Sequence, residues 1–229
     1  MCSGFDRIAP FYGVFEGFLF GSKLQEMRCT YLDQLIHQRD ILLIGEGTGL
    51  FLERLLKVNP KTKVTVVEQS AEMMERSRNR VVSKDFGRVN FHKVALQEFD
   101  SIARFDAVCT FFFWDCFEKS QLQGMIPLLS KYTKGESLWI DVDFFENQEG
   151  ALLTKCWHFM LIRMLYSFFA LATGIQARHV VEIEPLAKQS GFSLTACNRS
   201  EKLPIRARIF KREIGLEVDD SFLPKNQLG

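Results

Sequence analysis

Residues 40–50 read DILLIGEGTGL, and the change of character inside this stretch decides the fold. Four apolar residues, Ile41 to Ile44, make a short run of the kind found in strands buried on both faces. The run stops at Gly45, Gly47 and Gly49, and from Leu50 a helical pattern continues until Asn59-Pro60 ends it. Residues 63–67 then alternate and are rich in β-branched side chains, which predicts a second strand ending at Glu68. Ser70 is placed to cap a helix running to about residue 82.

The same alternation extends outward in both directions. Strands are expected over 89–94, 105–112 and 137–142, with a helix over 121–132. Residues 150–173 form a long apolar helical region, expected to be bent or split, and 181–189 a further helix. Strands at 192–198 and 205–211 are joined by about six residues, too few for a parallel crossover, so this pair is antiparallel. Upstream, 5–36 read as two helices broken near Gly21-Ser22. The expected fold class is α/β: a doubly wound, seven-stranded, mostly parallel sheet with an antiparallel last strand and a helical lid. One domain spans 1–229, with an N-terminal lid at 5–36, an inserted lid at 150–175 and a polar tail at 213–229.

Composition narrows the function. With 29 Lys and Arg against 28 Asp and Glu, the formal charge is +1, so the basic excess of a nucleic-acid-coating protein is missing. The six cysteines form no CxxC pair and have no His at metal-ligand spacing, so they read as free thiols in a reducing, cytoplasmic setting with no metal site. The opening residues lack the order of a signal peptide. His158 and Arg163 interrupt the most apolar stretch, so no transmembrane segment is expected. The 22 Phe against 4 Tyr and 3 Trp suit either a Phe-rich core or an apolar ligand cavity.

A strand, a glycine turn and a helix make a nucleotide-type site, because glycines admit a ligand close to the backbone and the helix N-terminus offers free N–H groups. The spacing here is GxGxG. A dinucleotide fingerprint would require glycine where Leu50 stands, and the tighter turn suits a ligand without a pyrophosphate, such as S-adenosylmethionine. Glu68, 23 positions after Gly45, is placed to accept both hydroxyls of a ribose. Leu50 and the lack of a convincing Tyr-x-x-x-Lys pair weigh against a nicotinamide-dependent oxidoreductase.

On these residues the chain resembles the class I S-adenosylmethionine-dependent methyltransferases over about 5–211. ILLIGEGTG is similar to their first motif, VTVVEQSAEMM to the ribose-binding second, HKVALQEF to the adenine-wrapping segment and FDAVCTFFFWDCF to the fourth motif beside the reacting centre. The opening FDRIAPFYG is similar to that of the ubiquinone/menaquinone-type small-molecule and lipid methyltransferases. Two departures stand out: Leu43 occupies the place of a common acidic residue, with Glu46 inside the turn instead, and Gly13 follows Tyr12 where that group has Asp.

The resemblance implies S-adenosylmethionine as cofactor, with S-adenosylhomocysteine as product. It assigns cofactor contacts to Gly45, Glu46, Gly47, Gly49, Glu68, Gln69, Met73, Ala95, Leu96, Thr110 and Phe111, with Glu46 a candidate for the ammonium end. Tyr12, Asp115 and His158 are the catalytic candidates, Arg163 a further pocket candidate, and Asp141 and Asp143 read as loop or cap residues. Aromatic residues at 111–117 and through 157–169 point to a small, apolar, aromatic or lipid-like acceptor, met under the inserted helix. The competing readings are a homodimer interface built from those residues and a non-catalytic S-adenosyl-binding module.

Overall fold

The computed structural model describes Asp6 and residues 20–146, 152–173, 177 and 179–213. Seven strands lie in one sheet: β1 (Asp40–Ile44), β2 (Lys63–Val67), β3 (Val89–His92), β4 (Phe105–Phe111), β5 (Thr133–Phe144), β6 (Phe192–Arg199) and β7 (Ile205–Arg212). Their order is β3-β2-β1-β4-β5-β7-β6. β1 pairs in parallel with β2 and with β4, β2 with β3, and β4 with β5. Only β7 is reversed, pairing antiparallel with β5 and with β6. The chain winds away from β1 on both sides, so the switch point lies between β1 and β4, where open α/β sheets bind ligands at the carboxyl edge.

Six α-helices among the described residues connect the strands: α1 (Lys23–Arg28), α2 (Leu50–Val58), α3 (Ala71–Arg80), α4 (Lys119–Tyr132), α5 (Leu152–Thr173) and α6 (Glu184–Gln189). Alternate strand residues feed two cores. Ile41, Leu43, Val64, Val66, Cys109 and Ile140 pack under α1, α2 and α5 through Leu24, Met27, Phe51, Leu55, Leu161 and Leu165. On the other face Leu42, Ile44, Val108, Trp139 and Phe210 meet α4 and α6 through Leu122, Ile126, Leu129 and Ala187. Much of the Phe content serves these cores, including Phe20, Phe51, Phe105, Phe192 and Phe210.

Local chemistry sets the boundaries. Ser70 caps α3 by accepting from Met73 N at 3.2 Å, and its hydroxyl donates to Asp6 at 2.5 Å. Glu118 and Gln121 form a capping box on α4. α6 starts at Glu184, later than expected, because Pro185 fixes the first turn and disfavours helix before it. β5 starts at Thr133, directly after α4, and carries a register shift against β4, with Glu136 at φ 62.

Three expectations change. The region 150–173 is neither bent nor split within the described residues: α5 is one continuous helix, because His158 lies on its buried stripe and Arg163 on its exposed side. At 22 residues, with a mean hydropathy of 1.3 over its most apolar 18, it is also long and apolar enough to cross a membrane by length and composition, interruptions notwithstanding. The second N-terminal helix is short, ending at Arg28, with a 3-10 turn at Leu32–Leu35 in place of its continuation. The first one, with Tyr12, lies outside the described residues.

Candidate active site

A cleft opens at the carboxyl edge of β1, β2 and β4, lined by the strand-end residues Ile44, Val67 and Phe111. Its floor is the turn after β1. Gly45, Gly47 and Gly49 all hold left-handed backbone, at φ 66, 66 and 84. A Cβ on Gly45 would sit 2.5 Å from the Phe113 ring, so that position is glycine by close approach. At Gly47 nothing lies within 4 Å of a built Cβ, and this glycine lines the cleft. The space a side chain would fill is the space a ligand can fill.

Glu68 closes one side. Its carboxylate accepts from Ser70 N at 2.8 Å and from Gly47 N at 3.2 Å, so the end of β2 is tied to the glycine turn. Burial raises its carboxyl above the ordinary range, against the pull of those backbone donors. Gln69, Met73, Val94, Ala95, Leu96 and Gln97 continue this wall. An apolar slot between the ends of β2 and β3 is thereby set beside a carboxylate.

Glu46 lines the opposite end. Its Oε1 accepts from Phe51 N and Leu52 N, both at 3.0 Å, which caps α2 from within the turn. Its Oε2 is buried without a hydrogen-bond partner. Burial pushes the Glu46 carboxyl up to about 7, while the two backbone donors and the Arg28 guanidinium pull it down. Arg28, at the end of α1, is itself buried, lines the cleft, and lies 5.0 Å from the centre of the Phe112 ring. A buried acceptor in search of a donor beside a buried cation suits a zwitterion, whose ammonium and carboxylate need opposite partners.

The third wall is aromatic: Phe111, Phe112, Phe113, Cys116 and Phe117. Phe112 has φ 51, a left-handed conformation in a bulky residue, and its N–H donates to Val142 O at 2.7 Å. Strain of this kind persists where the surroundings impose it, and it aims the ring into the cleft region beneath Arg28. Beneath the loop, Asp143 accepts from Trp114 N and Asp115 N, both at 3.1 Å. Burial, with Asp115 and Asp141 nearby, holds the Asp143 carboxyl well above its ordinary value.

Several assigned residues stand elsewhere. Thr110 is fully buried and outside the cleft lining; its hydroxyl donates to Asp141 at 2.9 Å and accepts from the Trp114 and Trp139 indoles, which makes it the centre of a buried polar knot. Gly49 does not line the cleft either; a Cβ there would meet the Ser77 backbone at 2.6 Å, so it serves the contact between α2 and α3. His158 is buried on α5, with Nε2 3.3 Å from Lys202 O, away from the cleft lining. Asp115 also lies outside that lining; its carbonyl accepts from the Tyr166 hydroxyl at 3.1 Å, and burial pushes its carboxyl up to about 6.

Asp141 and Asp143 are buried strand residues rather than loop or cap residues. Asp141 takes two hydrogen bonds from Arg208, at 3.1 and 2.7 Å. No residue of α5 lines this cleft, and Met164 and Phe168 are exposed at 48% and 37%. Arg163 is exposed too, 5.9 Å from the centre of the Phe159 ring. Sequence reading missed Arg28. Its signal was there: position 28 falls on the apolar stripe formed by Leu24, Tyr31 and Leu35, and a cation on a buried stripe needs a partner.

Residues 41–135 match the family model described as a methyltransferase domain. No curated protein sequence matches the chain. Among solved structures it is similar to the mitomycin 7-O-methyltransferase MmcR, at TM-score 0.67 and 15% identity, over 88% of this chain and 57% of that one. It thus spans little more than half the length of MmcR. It is also similar to the N-methyltransferase NodS of Bradyrhizobium japonicum WM9 in complex with S-adenosylhomocysteine, at TM-score 0.59 and 14% identity, over 82% of this chain and 87% of that one. The magnesium protoporphyrin IX methyltransferase ChlM of Synechocystis PCC 6803, with bound S-adenosylhomocysteine, aligns at TM-score 0.60 and 14% identity, over 83% and 82%. At these identities the likeness shows the fold. The cleft is therefore carried on the fold of these methyltransferases, and its glycine turn, Glu68 and aromatic loop all lie within the segment that matches the methyltransferase-domain model.

Proposed function

We propose that this protein transfers a methyl group from S-adenosylmethionine to a small apolar acceptor of aromatic or lipid-like character. The observation that carries the cofactor's orientation is the orphaned Oε2 of Glu46 beside Arg28. Glu46 would take the ammonium, Arg28 the carboxylate and Glu68 the ribose hydroxyls, with Val94, Ala95 and Leu96 around the adenine. The acceptor class rests on the aromatic wall of Phe111, Phe112, Phe113 and Phe117. The opening at residues 5–13 supports kinship with the ubiquinone/menaquinone-type group, and free thiols at Cys29, Cys109, Cys116, Cys156 and Cys197 fit a reducing, cytoplasmic setting.

S-adenosylmethionine supplies a methyl group already activated on a sulfonium. The protein's part is to position and to exclude water. Holding donor and acceptor near attack distance supplies several kcal/mol without any acid or base. The phenyl rings shed water from the acceptor side and offer π-faces to a cation. None of the carboxylates lining the cleft, Glu46 or Glu68, stands on the aromatic wall, so catalysis by proximity and desolvation is the reading favoured. The test is methyl-labelled S-adenosylmethionine incubated with the protein and an apolar metabolite extract. Label should move into an organic-phase product with wild type and not with Gly47→Val. Cofactor binding with no labelled product from any extract would favour a non-catalytic binding module.

A further inference from the structure

We propose that α5 is a lipid-docking element, whose outward face lies on the surface of an anionic membrane. One face of this helix is committed to the domain. Leu161 and Leu165 enter the core, His158 approaches Lys202 O, and the Tyr166 hydroxyl donates to Asp115 O. The opposite face is apolar and open to solvent along the whole helix, about 33 Å. Positions 153, 157, 160, 164 and 171, spaced by three, four or seven residues and so on one side of the helix, carry Leu153, Trp157, Met160, Met164 and Leu171, all exposed, with Leu153 at 84% and Leu171 at 89%. Contiguous apolar exposure on this scale marks an interaction surface.

Charge selects the occupant. Over 152–173 the helix carries Lys155 and Arg163 and no Asp or Glu. In a two-fold contact between copies this face would meet itself, bringing cations together with no carboxylate to pair them. A membrane surface with anionic headgroups meets both features: apolar side chains enter the acyl boundary while Lys and Arg stems reach back to the phosphates. Trp157 has the amphipathic ring enriched at such boundaries. Crossing the bilayer would require the helix to leave the sheet and expose His158 and Tyr166 to lipid, so the helix lies on the membrane rather than through it. Through Tyr166 and Asp115, α5 also grips the loop that carries Phe113 and Cys116, so docking sets that wall of the cleft close to the lipid.

Flotation of the full chain with phosphatidylcholine vesicles, with and without phosphatidylserine, tests this. Trp157 is the exposed one of three tryptophans, Trp114 and Trp139 being buried, so the intrinsic emission reports it directly. The protein should float with phosphatidylserine vesicles and its emission should shift to the blue. Lys155→Gln and Arg163→Gln should each weaken binding about fivefold. Met160→Glu/Met164→Glu should abolish flotation while leaving the thermal shift caused by S-adenosylhomocysteine unchanged. The proposal is overturned if wild type neither floats nor shifts its emission, or if the doubly substituted variant floats as well as wild type. It is equally overturned if wild type is a dimer that this variant dissolves, which would give the face to a second copy.

Discussion

Glu46 is the residue on which the cleft's electrostatics turn. Its carboxyl is raised from the ordinary 4.5 to about 7, so the cofactor-free fold holds its proton more tightly than the unfolded chain does. Its contribution to stability is therefore complete at pH below 4.5 and is lost as pH rises through about 7. A bound ammonium favours the ionised form, so affinity for S-adenosylmethionine should rise as pH is raised through that value, and calorimetry at several pH values checks it. Glu46→Gln should remove the dependence, since the amide oxygen still caps α2 but carries no charge. Arg28→Ala should weaken S-adenosylhomocysteine by about 1.5–3 kcal/mol, roughly 10–150-fold. Methylthioadenosine, which has no carboxylate, should bind the Arg28→Ala variant as well as wild type; an equal loss for both ligands would mean that Arg28 acts only on the fold. The glycine turn and Glu68 were legible in sequence because their chemistry is local. Gly49 ends that turn and Thr110 lies in the fourth motif, yet both face inward, and only packing against Ser77 and Trp139 reveals it.

At the scale of elements, β5 carries the hidden part of the site. Asp141 and Asp143 read as loop or cap residues in sequence, but alternation along β5 and the reversed β7 bury both, and Arg208 arrives from 67 residues away. Long-range pairing of this kind leaves no local trace. Asp141→Ala would strand the Arg208 guanidinium at 2% side-chain exposure, with the half-exposed Glu182 as its remaining partner. Removing one partner of a buried pair costs about 3–5 kcal/mol, and chemical denaturation should read a loss of that order, reduced to the extent that Glu182 compensates. Asp143→Ala leaves two loop N–H groups, on Trp114 and Asp115, without their acceptor. It should lower the melting temperature, and it should weaken S-adenosylhomocysteine if the loop's position matters to the cleft. Strand and helix order were readable because each apolar run has one period, whereas α5 misled because the positions of His158 and Arg163 along the chain hide their placement on opposite sides of the helix.

At the scale of the molecule, the order β3-β2-β1-β4-β5-β7-β6 follows from strand–helix alternation, right-handed crossovers and the short connection before β7. That order opens the carboxyl edge at β1 and β4, and the sequence puts its glycines, its Glu68 and its aromatic loop on that edge. The most direct test of this assignment is calorimetric titration of S-adenosylhomocysteine into wild type and Glu68→Ala. Wild type should bind one equivalent, and Glu68→Ala should lose about 1.5–3 kcal/mol for each hydrogen bond that its carboxylate gives up. No heat with wild type, or equal affinity in Glu68→Ala, would contradict the placement of the cofactor in this cleft.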